Sequence, residues 1–234
     1  MQRDRTCGIL RALARNVVPK DHGRFALNAV NVHATGGEGG GRMTFEATDG
    51  RILVRVVVPW SGPAFDSMLV DGDVARKLKV RDVVRVEVEP GIEREAAFLR
   101  SVDGTDVPMP LGVGTFPDVG AVIPEPGAVV VKEPKTETRP GWRDSPGRTV
   151  SKTYGWNAAY LRRLWTALDE LGTTFEADPM VARWTAWNGE GGPLRLDARI
   201  PEGPDPRITV TAVVMPCSVE WSEANAEEPV AAVA

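Results

Sequence analysis

The sequence predicts an α+β protein built from two consecutive sheet-and-helix units. Runs of β-branched and aromatic residues recur through both halves of the chain, separated by Gly, Pro and Asp turns. Between these runs lie a few segments whose apolar residues recur every three or four positions, as in an amphipathic helix. The prolines and glycines of LGVGTFPDVGAVIPEPG, which begins at residue 111, mark the crossing between the units.

The composition is that of a globular protein. The 234 residues are 42% apolar and 26% charged, which is enough to bury a sizeable core. Twenty-eight basic residues against 32 acidic ones give a net charge of −4, so any contact with nucleic acid depends on how the charges are distributed. No apolar run reaches the length of about 18 residues that a membrane span requires. We expect a cytoplasmic protein with reduced thiols.

No metal, cofactor or catalytic motif is present in the sequence. The two cysteines and two histidines are scattered without ligand spacing, so we expect no metal site and no cofactor. The scarcity of histidine argues against a Ser-His-Asp triad, and no Gly-x-Ser-x-Gly motif occurs. The GGEGGG run at 36–41 lacks the Gly-Lys-Ser/Thr ending of a phosphate loop. The sequence therefore predicts that the protein is not an enzyme.

Three amphipathic helices are predicted, each with a basic outer side. The first covers residues 4–18, the second lies near residues 72–80, and the third is NAAYLRRLWTALDELG, which Gly172 is expected to end. Basic side chains on such faces are by themselves typical of solvated helices.

Strand candidates fill the rest of both units. In the first unit they include FALNAVNVHA, RMTFEAT, RILVRVVVP, DSMLV, VVRVEVEP, EAAFLRSVD and the segment from there to Leu111, and in the second AVVVK, FEAD, VARWTAW, PLRLDARI and RITVTAVVMPCSV. The proline-rich segment Lys132–Lys152 is predicted to be a loop, and the tail from Ser222 is predicted to fray.

The stretch FEATDGRILVRVVVP, residues 45–59, contains the clearest turn signal. An Asp-Gly pair between alternating apolar residues predicts a β-hairpin with a type I′ turn, in which both central residues have positive φ. Turn geometry alone is a sufficient reason for Asp49, so the pattern assigns it no chemistry.

Three phrases of the sequence together resemble one protein family. FEATDGRILVRVVVP, GTFPDVGAVIP and ITVTAVVMPCSV occur in the order and rough spacing of phrases in the middle and last domains of the bacterial sliding clamp, the beta subunit of DNA polymerase III. The helix YGWNAAYLRRLWTAL is similar to the family's last-domain helix. The resemblance covers residues 5–218 and implies a shortened DNA clamp fold with its helices on one concave side.

The resemblance also implies a domain organisation. A domain like the clamp's middle domain would span residues 1–118, and a shortened domain like its last domain would span residues 119–221, before a disordered tail at 222–234. Bacterial clamps have three such units per chain, so a six-unit ring of this chain would be a homotrimer. The proline-rich loop stands where the family has a channel-lining helix.

The function that the resemblance implies is that of a ring around duplex DNA. Such a ring does not read sequence, and it recruits a polymerase or repair partner through a short linear peptide, in this family commonly a glutamine followed by leucine and phenylalanine. Basic helix faces suit this role, because Arg and Lys attract phosphates by counterion release without base contacts. The residues expected to face DNA are Arg11, Arg15, Arg76, Lys77, Arg162 and Arg163.

The peptide site of the family lies where the three phrases converge. Aliphatic anchors and an adaptable methionine suit such a preformed cleft, although each of these residue types also fits an ordinary core or turn position. Carried over position by position, the site would consist of Thr48, Gly50, Arg51, Leu53, Pro117, Val122, Val214, Met215 and Pro216.

Several positions depart from the family's pattern. Ile52 and Ala121 stand where arginines usually flank the pocket, Cys217 replaces a closing methionine, and Val119 replaces an aromatic residue. We therefore expect a different peptide preference or a loss of binding. The alternative hypothesis is a monomeric clamp-like interaction module that binds partner proteins but never encircles DNA.

Overall fold

A computed structural model describes the fold for most of the chain. The predicted strand AVVVK, nearly all of the predicted loop Lys132–Lys152 and the predicted tail at 222–234 lie outside the described residues. The described segments are residues 5–20, 27–36, 40–79, 83–87, 96–100, 106–109, 114–124, 151–176, 181–187, 193–199 and 208–221.

The described segments contain the three predicted helices, α1 (Thr6–Asn16), α2 (Gly72–Lys77) and α3 (Ala158–Phe175). The helix α2 is shorter than predicted and is capped by Asp71, whose side chain accepts hydrogen bonds from two backbone N–H groups of the first turn. An aspartate at this position satisfies donors that have no partner within the helix. Asn157 caps α3 in the same way, by accepting from the N–H of Ala159.

The helix α3 continues past Gly172, so the predicted end was wrong. Phe175 is buried one turn after Leu171, and burial of a large aromatic side chain is worth more than the cost of about 1 kcal/mol for a helical glycine. Glu176 ends the helix in the left-handed conformation with φ 58°, and its N–H donates to the carbonyl of Thr173. The predicted strand FEAD is therefore wrong at its first two residues.

The strands of the described segments follow the predicted order, except that Ser151–Gly155 forms a strand that was not predicted, so the predicted loop is wrong at Ser151 and Lys152. This strand pairs with Cys217–Trp221, a long-range contact that the local sequence pattern does not show. The predicted strand RITVTAVVMPCSV corresponds to two strands, because Met215 and Pro216 belong to neither. The strands are β1 (Ala29–Thr35), β2 (Gly41–Thr48), β3 (Ile52–Trp60), β4 (Phe65–Asp71), β5 (Val83–Glu87), β6 (Ala96–Arg100), β7 (Asp106–Met109), β8 (Ser151–Gly155), β9 (Val181–Trp187), β10 (Leu194–Arg199), β11 (Thr209–Val214) and β12 (Cys217–Trp221).

Seven strands form one antiparallel sheet in the order β4-β1-β2-β3-β11-β10-β9. The strand β3 belongs to the first predicted unit and β11 to the second, and they pair from Ile52↔Val214 to Val57↔Thr209. The two units therefore share a continuous sheet. The remaining strands form a three-stranded sheet, β5-β6-β7, and a pair, β12-β8.

All three helices lie on one face of the seven-stranded sheet. Their apolar sides form a single core with alternate residues of the strands, since successive strand residues point to opposite faces. The helices contribute Ile9, Leu10, Leu13, Ala75, Leu164, Leu168 and Leu171, and the sheet contributes Val30, Phe45, Val54, Val56, Leu196, Val210 and Ala212. This placement agrees with the predicted α+β class and with helices on a common side.

The helices α1 and α3 approach closely at Gly8. A Cβ atom added to Gly8 would lie 2.4 Å from Cγ2 of Thr174 on α3, closer than such carbon atoms pack. Gly8 therefore sets the distance between the two helices.

Gly8→Ala is expected to lower the free energy of unfolding by about 1–3 kcal/mol, because overpacking this contact outweighs the better helix propensity of alanine. Gly40→Ala is a matched control, since nothing lies within 4 Å of its added Cβ. Thr174→Ala should restore part of the loss in the double variant. Urea unfolding measures all three, and a Gly8→Ala protein as stable as the wild type would contradict the close contact.

Candidate functional site

The corner between β2 and β3 is fixed by hydrogen bonds of its own side chains. Oδ1 of Asp49 accepts from the N–H groups of Arg51 at 2.8 Å and Ile52 at 2.9 Å. Oγ1 of Thr48 donates to the carbonyl of Ile52 at 2.8 Å and accepts from the N–H of Gly50 at 3.0 Å. Only Gly50 has positive φ in this corner, at 84°. The predicted type I′ turn is therefore wrong, since it requires positive φ at both central residues.

Arg163 on α3 links this corner to the end of α1. Its Nη1 donates to Oδ2 of Asp49 at 2.6 Å, its Nε to the carbonyl of Asn16 at 2.9 Å, and its Nη2 to the carbonyl of Val17 at 3.0 Å. One guanidinium group thus contacts three parts of the fold. Asp49 has a structural role beyond the turn, which the sequence pattern did not indicate.

Arg76 on α2 contacts the same end of α1. Its Nε donates to the carbonyl of Ala14 at 3.0 Å, and its Nη2 to those of Val18 at 3.2 Å and Pro19 at 2.8 Å. Its Nη1 pairs with Asp73. The last four carbonyls of a helix have no partner within it, and cations stabilise this end. The two arginines supply the donors that the end of α1 needs.

The six residues predicted to face DNA therefore fall into two groups. Arg15, Lys77 and Arg162 are exposed. Arg76 and Arg163 use their donors on carbonyls of the protein, and Arg11 is half-buried, with its Nε buried and without a hydrogen-bond partner among the described atoms. The exposed group is best placed to meet an external partner. DNA contact by any of the six stays a prediction.

An apolar patch lies on the sheet face away from the helices. Leu53 of β3 and Val213 of β11 are cross-strand partners, and Phe116 and Val119 of the crossing segment pack against them, together with Ala29, Leu69 and Ile123. The N–H of Met215 donates to the carbonyl of Arg51 at 2.8 Å, one step beyond the last strand pair. The corner, the crossing segment and the last strand do converge.

The residues predicted for the peptide site differ in accessibility. Gly50, Arg51 and Pro117 are exposed, Val122 is 41% exposed, and Met215 and Pro216 are half-buried. Thr48 and Leu53 are each 6% exposed.

Val214 is fully buried in the core on the helix side. Its neighbour Val213 lies in the apolar patch instead, together with Phe116. Neither residue was among those predicted from the sequence. The alternation of strand residues was the signal that could have found Val213, because it shares a face with Leu53.

A row of polar side chains crosses the same sheet face. Oγ of Ser67 donates to Oδ1 of Asn31 at 2.5 Å, Nδ2 of Asn31 donates to Oε2 of Glu46 at 3.0 Å, and Nε of Arg55 donates to Oε1 of Glu46 at 2.7 Å. The buried Asn31 and Glu46 thus have hydrogen-bond partners, as buried polar groups require. The row connects four strands, β4, β1, β2 and β3.

A second hydrogen-bonded group of polar side chains lies on the strands of the second unit and reaches the crossing segment. Thr211 Oγ1 donates to Oδ1 of Asp197 at 2.8 Å, and Arg195 donates to both oxygens of the same carboxylate. Nη1 of Arg195 donates to the carbonyl of Pro124 at 2.7 Å. The end of the crossing segment is therefore held on β10.

Neither a metal-binding cluster nor a membrane-spanning helix is found among the described residues. In these parts of the chain no group of three or more His, Cys, Asp or Glu residues could hold a metal ion. None of the helices found there is long and apolar enough to cross a membrane. Cys7 is buried and Cys217 is half-buried.

The continuous sheet, the helices on one face and the three converging segments define a clamp-like protein. The fold is that of the bacterial DNA polymerase III beta sliding clamps. The sliding clamp of Caulobacter crescentus is 19% identical over 92% of this chain, with a TM-score of 0.58. The Helicobacter pylori beta clamp, solved with diflunisal, is 13% identical over 91%, with a TM-score of 0.56.

A third similar structure is the sliding clamp of Bartonella birtlesii bound to griselimycin, 16% identical over 92% of this chain, with a TM-score of 0.55. In all three cases the match covers 64% of the clamp, so this chain spans somewhat less than two thirds of their length. No family model and no curated protein matches the sequence. At these identities the likeness shows the fold, and it confirms the clamp fold that the three phrases predicted.

Arg76→Met is expected to lower the free energy of unfolding by about 2–4 kcal/mol, because three carbonyls near the end of α1 lose a charged donor. Lys77→Met is the matched control next to it. Lys77 is exposed, so its loss should change stability by no more than about 0.5 kcal/mol. Thermal and urea unfolding of both variants check this. Equal effects would contradict the capping role of Arg76.

Proposed function

We propose that this chain is a cytoplasmic, non-enzymatic, clamp-like protein that holds a partner on duplex DNA without reading its sequence. The observation that carries the proposal is the placement of all three helices on one face of a sheet that continues between the two units, in the fold of the bacterial sliding clamps. A ring assembled from such units with the helices inward presents them to the DNA backbone.

The exposed charges of the helices support this orientation. Arg15, Lys77 and Arg162 come from three different helices of the same sheet face, and α1 carries no acidic residue. The three described helices contain six basic residues and three acidic ones, a net charge of +3, whereas the whole chain has a net charge of −4. The helices are therefore more basic than the average of the protein. Phosphate attraction by such residues is independent of sequence and sensitive to salt.

The converging segments support a peptide site for a polymerase or repair partner. Val122 is an exposed apolar residue of the crossing segment, and Met215 and Pro216 are half-buried residues directly after β11. A peptide with aliphatic or aromatic anchors would remove this apolar surface from water. Completion of a six-unit ring would require a homotrimer.

One set of observations favours a second candidate, the monomeric interaction module. Arg76 and Arg163 donate to internal carbonyls and Arg11 is half-buried, so half of the predicted DNA-facing residues have a limited capacity to contact phosphates. The edge strand β7 contains Pro108, which lacks an N–H donor for pairing with another subunit. The module would bind partner proteins in the absence of DNA.

The ring hypothesis predicts three copies in light scattering and retention on circular duplex DNA that is lost when the circle is cut. The triple variant Arg15→Gln, Lys77→Gln, Arg162→Gln should reduce the slope of log affinity against log salt by about 3, one unit for each lost phosphate contact. Filter binding at several salt concentrations measures the slope.

The matched control for this experiment is Arg42→Gln. Arg42 is exposed at the end of β2, and its register with Pro59 places it on the sheet face away from the helices. Its loss should leave the slope unchanged. A single copy in solution together with equal retention on cut and circular DNA would rule out the ring and favour the module.

The peptide site is tested with a synthetic peptide in which glutamine is followed by leucine and phenylalanine. Val122→Glu should weaken its binding at least about tenfold, because a charge replaces an apolar contact. Thr115→Glu, exposed on the same segment, should bind as the wild type does. Fluorescence anisotropy measures both affinities. Unchanged binding by Val122→Glu would contradict a site at this position.

A further inference from the structure

Arg163 lies where the helix side of the sheet meets the corner between β2 and β3. We propose that Arg163 is the positioning residue of the predicted peptide site: it holds Asp49, and through Asp49 it fixes the turn to which the end of β11 is attached. This inference rests on the proposed function, since it assigns the residue that shapes the peptide site. It also removes Arg163 from the residues available to DNA.

The two carboxylate oxygens of Asp49 have different hydrogen-bond partners. Oδ2 accepts from Nη1 of Arg163 at 2.6 Å, whereas Oδ1 accepts from the N–H groups of Arg51 and Ile52. The Asp49 side chain is only 9% exposed. Charge-assisted hydrogen bonds in such a partly dry position are stronger than neutral ones. The rotamer of Asp49, and with it the turn, is therefore set by Arg163.

The turn is hydrogen-bonded to the residue that follows β11. The carbonyl of Arg51 accepts the N–H of Met215 at 2.8 Å, just beyond the pair Ile52↔Val214. Met215 and Pro216 have no further strand pair with β3, so this hydrogen bond is the described contact that ties them to the corner. A shift of the turn would move both residues of the predicted site.

Arg163 is itself held in place by the end of α1. Its other two donors reach the carbonyls of Asn16 and Val17, and Val17 is completely buried. The guanidinium group is thus held by the end of α1 while it holds the corner. Lysine cannot replace it, because an ammonium group lacks the planar fork that reaches three acceptors in fixed directions.

Hydrogen exchange followed by mass spectrometry tests the proposal on the full chain. Arg163→Lys and Asp49→Asn should each speed exchange in peptides covering residues 47–54 and 212–217 by about tenfold. Asp49→Asn keeps an oxygen for the turn and removes the ion pair, so it does not disturb the end of α1. Exchange in the strand β10, away from the corner, should stay as in the wild type in both variants.

Arg42→Gln is the control for loss of one charge on the same hairpin, and it should leave exchange at the corner unchanged. Unchanged exchange at residues 212–217 in Asp49→Asn would overturn the positioning role. Equal acceleration throughout the sheet would also overturn it, because that result assigns Arg163 and Asp49 to global stability.

Peptide affinity separates this inference from the proposed function. Arg163→Lys should bind the glutamine-leucine-phenylalanine peptide at least about fivefold more weakly than the wild type does, in proportion to the loss of protection at residues 212–217. If the wild type does not bind the peptide, the proposed peptide site fails while the exchange result still decides the positioning role.

Discussion

The fold depends on how the buried end of α1 satisfies its carbonyl groups. Val17 and Val18 follow the helix into the core, and buried carbonyls there need donors in place of the missing intrahelical ones. Donors come instead from Arg76 on α2 and Arg163 on α3. The helices α2 and α3, which are far from α1 in sequence, therefore both contact the end of α1. These contacts help to hold the three helices together on the sheet.

The two faces of the sheet have different roles that meet at the β2–β3 corner. On one face the apolar sides of all three helices form the core, and on the other the crossing segment covers Leu53 and Val213. Two hydrogen-bonded groups of polar side chains lie on this second face, one on the strands of each predicted unit, and the second group ends on the carbonyl of Pro124. The junction between the predicted units is thus held by the core on one face, and by the crossing segment on the other.

Much of the fold was predictable because it follows from local patterns. Apolar periodicity located the three helices, and β-branched runs located the strands of the large sheet. The end of α3 was wrong because Phe175 gains more from burial than Gly172 costs, and burial of that kind depends on the tertiary fold. The turn type was wrong because the side chains of Thr48 and Asp49 bind the turn backbone themselves.

The contacts of the helix arginines were harder to predict than the fold. The sequence pattern around an arginine on a helix is the same whether the side chain faces solvent or the end of another helix. Arg162 and Arg163 are adjacent, and successive helix positions point about 100° apart, so one is exposed and the other reaches α1. Periodicity gives the direction of a side chain on its helix. It does not give the position of another helix's last carbonyls.

This distinction limits what a basic helix face says about DNA binding. A guanidinium group that donates to two carbonyls and a carboxylate has most of its donors in use, and its charge is partly neutralised by Asp49. Coulomb attraction to a phosphate is then reduced by the nearby carboxylate. Among the described residues, the cations of this face that are placed to attract a phosphate are exposed ones such as Arg15, Lys77 and Arg162. In the proposed ring, closure around the duplex would hold DNA by topology and would not depend on any single one of these contacts.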